Sequence, residues 1–167
     1  AAATVAMRYG MAPETVARIL ASQHTISPHR MALSTVNREG TSFTLIDDSF
    51  NANPDSMKAG LNGLKAWNSN DGKEPFRVAL LGAMLELGAD ETALHTSIGT
   101  YADELGIDAI IAVGSAQDQH LDALAQDLAD GARQSQSASV DCVHDIDAAE
   151  QLVIDLARNH PDAVVLL

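Results

Sequence analysis

From residue 43 onward, short apolar runs alternate with stretches in which apolar residues recur every three or four positions. That alternation constrains the fold more than any other feature. The runs 43–47, 77–81, 108–113, 139–143 and 163–167 read as strands. The stretches 54–67, 91–105, 117–130 and 146–158 between them read as helices. Met57, Leu61, Leu64 and Trp67 share one helix face, as do Leu94, Ile98, Ala102 and Leu105. Leu121, Leu124 and Leu128 line the next helix, and Ile146, Ala149, Val153 and Leu156 the last. Strands with almost no polar face need cover on both sides. The pattern therefore predicts an α/β fold, Rossmann-like and doubly wound, around a mostly parallel sheet.

Ahead of this region, Met31–Val36 and Ser42–Ile46 flank a glycine-containing turn, which predicts an N-terminal hairpin strand. Residues 1–9 and 13–22 read as two short helices, the second opened by Pro13 at its first position. Two helices of this size cannot form a core alone. They pack on the downstream elements or are the remnant of a preceding domain. The polar stretch Ser22–His29 reads as a linker, and 131–139 as a surface loop.

Composition narrows the partners. Ten Lys+Arg against 23 Asp+Glu give a net charge of −13. Such a surface repels polyanions, so neither nucleic acid nor an anionic membrane is an expected partner. A small phosphate compound held locally by one arginine or by helix N-termini remains open. No apolar run approaches the ~18 residues of a membrane span, and no signal-peptide pattern opens the chain. The single cysteine, Cys142, suits a reducing cytosol. Both ends look cut: the chain opens inside an Ala-rich helical pattern and stops in a strand-like run.

In doubly wound sheets, ligands sit beyond the carboxyl ends of the strands. That rule selects the loops 47–53, 82–90, 114–117 and 143–145. In the first, Asp47 and Asp48 end an apolar strand and point to opposite sides, so one can face the crevice while the other anchors the loop. A carboxylate there can accept hydrogen bonds from vicinal hydroxyls of a ribose. Asn53 is placed to cap the next helix, with Pro54 at its first position. The plainer reading is that both acids and Asn51 only cap backbone amides. In the second loop, Gly82 permits a sharp exit, and Glu86 is the only charge between Arg77 and Asp90; it reads equally as a surface ion pair. Arg30 stands where the helical segment gives way to the alternating one. It could reach a phosphate or ribose, or be an ordinary surface arginine. His95 could contact a ligand or be a structural histidine. The histidines at 24, 29, 95, 120, 144 and 160 lack zinc-site spacing, so no metal site is expected. There is no G-x-x-x-x-G-K-[ST], no G-x-G-x-x-G and no G-x-S-x-G.

Taken together, three groups of residues resemble the Mur ligase family. They are Pro28-x-Arg30; Ile46-Asp-Asp-Ser-Phe-Asn-Ala-Asn-Pro54 with Ser56-Met57; and Leu81-Gly-x-Met-x-Glu-Leu-Gly88 with His95 and Gly99. The Asp-Asp-Ser-Phe-Asn-Ala-Asn-Pro string is similar to the branch that joins D-alanyl-D-alanine to UDP-N-acetylmuramoyl-tripeptide. The resemblance implies that residues 1–29 end a central ATP-binding domain and 30–167 form the family's C-terminal domain. It implies an ATP-dependent, Mg²⁺-requiring carboxylate–amine ligase of bacterial peptidoglycan synthesis. That enzyme is a cytoplasmic monomer working through an acyl phosphate. It also implies nucleotide contacts for Arg30, Asp48, Asp47 and Asn51, and substrate contacts for Asn53 and His95, with no catalytic residue in this segment. A segment without the P-loop is expected to be inactive alone. His29 stands where the family usually has glycine, and Ala83 where it has aspartate. The competing readings are another Mur-like ligase, resembling cyanophycin synthetase or folylpolyglutamate synthase, and a receiver-like binding module.

Overall fold

The computed structural model describes residues 2–22, 28–68, 72–135 and 138–167. Two helices, α1 (Ala2–Arg8) and α2 (Pro13–Ala21), precede the sheet. Residues 23–27 of the expected linker, His24 among them, lie outside the described residues. Strands β1 (Ala32–Arg38) and β2 (Thr41–Asp47) then form the expected hairpin. Its turn is Glu39-Gly40, with φ of 46° and 79°. Two consecutive left-handed residues match the twist of the flanking strands, and glycine takes the second without strain.

The remaining elements alternate as the sequence predicts: α3 (Pro54–Ala66), β3 (Arg77–Gly82), α4 (Glu91–Glu104), β4 (Ala109–Val113), α5 (Gln119–Ala132), β5 (Ser139–Val143), α6 (Ile146–Asn159) and β6 (Val164–Leu166). The sheet order is β1-β2-β6-β3-β4-β5, parallel throughout except for the β1–β2 pair. From β2 the chain advances to β3, β4 and β5 through α3, α4 and α5. It then returns through α6 to insert β6 between β2 and β3. A reversal of direction with a change of face keeps one crossover hand.

Each central strand feeds two cores. Ala79, Leu81, Ile110, Ala112, Val164 and Leu166 face Leu61, Leu64, Ile98 and Leu128 of α3, α4 and α5. Val78, Leu80, Ile111 and Val165 face Ala149, Val153 and Ala157 of α6. This period-2 division explains why the strand sequences are apolar on both sides.

The helices α4 and α5 approach so closely that side chains are excluded at two points. A Cβ on Gly99 would lie 1.9 Å from the Leu128 carbonyl oxygen, and one on Gly131 would lie 2.0 Å from that of Thr96. The expected loop 131–139 is corrected accordingly. Gly131 and Ala132 are buried in the last turn of α5; residues 136–137 of that loop lie outside the described residues. Gly131, placed in that loop by the sequence reading, is a packing contact between helices.

Arg77, 3 % exposed, is a structural residue that the sequence pattern does not reveal. Its Nε donates to the Leu64 carbonyl at 3.3 Å and its Nη2 to that of Trp67 at 3.0 Å. It thereby satisfies carbonyls at the C-terminus of α3, where a cation also complements the helix dipole.

Candidate functional site

The carboxyl ends of β2, β6, β3 and β4 open into a crevice of about 290 Å³. Asp48, Ser49, Asn51 and Ala52 line it from the loop after β2, with Ser56, Met57 and Gly60 from α3. Leu80–Ala83, Val113, Leu166, Leu167 and Ile146 complete an otherwise apolar wall. The expected loops after β2 and β3 meet here, as the strand-end rule requires.

The two adjacent acids divide their work. Asp47 turns toward its own loop: Oδ1 accepts from the Ser49 N–H (3.1 Å) and hydroxyl (2.7 Å), and Oδ2 lies 2.6 Å from Nδ1 of His29. Burial pushes its carboxyl up, but the hydrogen bonds from Ser49 and His29 outweigh this and hold it below the ordinary value. Asp48 lines the crevice while its Oδ1 accepts the Met31 N–H at 3.0 Å. The space beside Oδ2 is kept by Gly60, whose hypothetical Cβ would stand 3.3 Å away. A glycine inside a helix costs about 1 kcal/mol relative to alanine. That cost was the available sequence signal for a close approach at Gly60.

Around Asp48 the chain enters in an unusual conformation. His29 and Met31 both have positive φ, 58° and 48°. A left-handed residue at 29 fits the glycine usual in the resembled family. The His29 carbonyl accepts the Phe50 N–H at 2.9 Å, and the Arg30 guanidinium lies 4.0 Å from the centre of the Phe50 ring. Arg30 is thus exposed and held on the same loop as Asp48 by a cation–π contact, although it does not line the crevice.

Asn53 caps α3. Its side-chain oxygen accepts the Ser56 N–H at 2.9 Å, and the Ser56 hydroxyl accepts the Asn53 N–H at 3.0 Å. This reciprocal box fixes where the loop ends and the helix begins; Ser56, three residues on, was its sequence signal. Asn51 is exposed on the crevice rim. His95 has a different place from the one expected of a substrate ligand. It is 0 % exposed, and both ring nitrogens are engaged inside the protein, with Met84 N–H and the Glu91 carbonyl. Neither is left for a ligand. Glu86, exposed and with φ of 62°, makes no ion pair with any described residue.

The crevice pairs one acceptor with an apolar surface. Asp48 offers a carboxylate oxygen to hydroxyls, and the apolar wall offers contact area to a flat or aliphatic group. Among the described residues there is no group of three His, Cys, Asp or Glu side chains that could hold a metal ion. Nor is any described helix long and apolar enough to cross a membrane.

Fold and crevice together define a doubly wound α/β domain with a carboxylate set in a largely apolar crevice at its strand ends. The family model described as "Mur ligase, glutamate ligase domain" matches residues 29–167, and the chain belongs to the Mur ligase family. The UDP-N-acetylmuramoyl-tripeptide–D-alanyl-D-alanine ligase of Mycobacterium leprae is 35 % identical over 175 residues, covering 99 % of this chain and 32 % of that protein. The ligase of the same name from Mycobacterium bovis is 43 % identical over 115 residues, covering 68 % of this chain and 22 % of that protein. A crystal structure of MurF from Acinetobacter baumannii has the same fold, with a TM-score of 0.71 over 97 % of this chain and 31 % of that one at 24 % identity. The matched regions therefore span 22 % and 32 % of the length of these relatives. The family match extends from β1 through β6 and removes the receiver-like reading.

Proposed function

We propose that this chain is the C-terminal domain of an ATP-dependent ligase that joins D-alanyl-D-alanine to UDP-N-acetylmuramoyl-tripeptide in bacterial cell-wall synthesis. Residues 1–29 would be the end of the ATP-binding domain before it, and the enzyme would be a cytoplasmic monomer. The observation that carries the reading is Asp48: a carboxylate on the crevice wall, whose loop holds Arg30 through Phe50 and fastens the neighbouring Met31. The relatives' names support the choice of substrates.

In this reading the domain binds and orients. The Asp48 carboxylate accepts the ribose hydroxyls of ATP, Asp47 holds the loop that carries Asp48, and Asn51 and Asn53 shape its crevice side. Arg30 leaves Phe50 to meet a phosphate when the domain closes on its neighbour. ATP supplies the phosphoryl group that activates the tripeptide carboxylate. The triphosphate and Mg²⁺ would be held elsewhere in the ligase, since this sequence has no P-loop. Closure brings positioned groups and excludes water, which is most of what such phosphoryl chemistry asks of a protein.

The test is phosphate release by the full-length ligase given ATP, the UDP-linked tripeptide and either D-alanyl-D-alanine or glutamate. Turnover with the dipeptide alone supports the reading; turnover with glutamate alone overturns it. The 167-residue chain by itself should not hydrolyse ATP, and its nucleotide affinity should be about millimolar or weaker, the level expected of a few isolated contacts.

A further inference from the structure

The loop between β3 and α4 is held in a way that assigns a task to a residue the ligand cannot reach. Gly82 and Ala83 form part of the crevice wall. Met84 then turns inward and is 0 % exposed, whereas Leu85 is 62 % exposed. Glu86 comes next, in the left-handed region, which costs a non-glycine residue roughly 1 kcal/mol or more and persists only where the surroundings impose it. Outside helices and strands, no backbone–backbone hydrogen bond from residues 83–86 is found among the described residues. The Met84 N–H is tethered instead to Nε2 of His95, at 2.8 Å.

The imidazole is built to accept that bond. Its Nδ1–H donates to the Glu91 carbonyl one turn back in α4, at 2.7 Å. This fixes the tautomer and leaves a lone pair on Nε2. The helix beneath is itself immobilised: at Gly99 and Gly131 it meets α5 backbone against backbone, and the Glu91 carboxylate lies 3.2 Å from His120 of α5. A rigid path therefore runs from α5 through α4 and His95 to Met84 and the crevice wall.

We infer that His95 is a positioning residue of the ligase: through Met84 N–H it sets the Gly82–Ala83 wall against which the incoming amine substrate is placed. The inference rests on the proposed ligase reading. In that reading Asp48 serves the nucleotide, so the opposite wall is left for the amine.

The variants His95→Gln and His95→Asn separate this task from general stability. The glutamine amide oxygen reaches the place of Nε2 and can accept from Met84; asparagine stops at the place of Nδ1. In the full-length ligase, His95→Asn should raise KM for D-alanyl-D-alanine about tenfold, in keeping with the cost of a small misplacement. KM for ATP should stay within about twofold, and His95→Gln should stay within about threefold of wild type throughout. In the 167-residue chain, exchange of the Met84 amide should quicken at least about tenfold in His95→Asn and little in His95→Gln. Equal behaviour of the two variants, or KM for both substrates rising together, overturns the inference. Should His95→Asn not fold, a shifted dipeptide KM in folded His95→Gln overturns it and an unshifted one supports it. If the wild-type ligase does not use D-alanyl-D-alanine, the ligase reading falls, while Met84 exchange still decides whether His95 holds the loop.

Discussion

Oδ1 of Asp48 accepts the backbone N–H of Met31 at 3.0 Å, so the carboxylate that lines the crevice also fastens the segment carrying Arg30. The two tasks come apart by substitution. Asp48→Asn keeps an oxygen for Met31 but loses the charge; Asp48→Ala loses both. A charge-assisted hydrogen bond contributes about 1.5–3 kcal/mol, so KM for ATP in the full-length ligase should rise about tenfold to a hundredfold in either variant. Only Asp48→Ala should also speed exchange of the Met31 amide. An unchanged KM in Asp48→Ala would leave the carboxylate with its structural task alone.

Gly99 and Gly131 set the distance between α4 and α5. A methyl group at either would stand within about 2 Å of a backbone oxygen, and backbone cannot swing away as a side chain can. Forced overpacking of this kind costs about 1–3 kcal/mol, occasionally more. For a domain of this size each kcal/mol shifts Tm by about 2–4 °C. Gly99→Ala and Gly131→Ala should each lower Tm by about 2–12 °C by calorimetry. A shift below about 2 °C in both would mean that the helices can separate without loss.

Local signals and non-local ones were legible to different degrees. The strand–helix alternation, the Asn53-Pro54 helix start and the division of labour between Asp47 and Asp48 all follow from short-range rules of periodicity, capping and strand geometry. The insertion of β6 between β2 and β3 rests on pairings such as Thr44 with Val164, more than a hundred residues apart, which no local pattern encodes. Gly131 was read as part of a surface loop, because its packing partner Thr96 lies on another helix. For the same reason Ile146 and Leu166 escape a reading of the crevice from sequence. His95 stands three, four and seven residues before Ile98, Gly99 and Ala102, on the buried stripe of α4, so its burial follows the helical period, while its bond to Met84 N–H on the β3–α4 loop is a tertiary fact.

The Asn53–Ser56 box should have a measurable effect of its own. Replacing an asparagine N-cap by alanine costs about 1 kcal/mol, or about 2–4 °C in Tm for a domain of this size. Asn53→Asp and Asn53→Ser, which keep an oxygen for the Ser56 N–H, should fall within about 1 °C of wild type. If Asn53→Asp were as destabilising as Asn53→Ala, the cap would not be the reason for asparagine here, and a ligand-facing role for its amide would gain weight.

At the far strand ends, His144 and Asp122 couple stability to pH. Nδ1 of His144 lies 2.6 Å from Oδ1 of Asp122. The hydrogen bond to Asp122 and its charge, with a smaller contribution from Asp145, raise the imidazole above its ordinary value of 6.5. The folded state therefore holds the proton more tightly than the unfolded one. While Asp122 is ionised, the pair's contribution is complete below the unfolded value of 6.5 and fades as pH rises through the higher folded value. Denaturation of wild type and His144→Ala at several pH values should give the largest gap at about pH 6 and a vanishing one in alkaline buffer, where the imidazole is neutral in both states. In an NMR titration Asp122→Asn should bring the His144 midpoint back toward 6.5. A midpoint that ignores Asp122→Asn, or a gap that widens with rising pH, would show that the pair does not couple to folding.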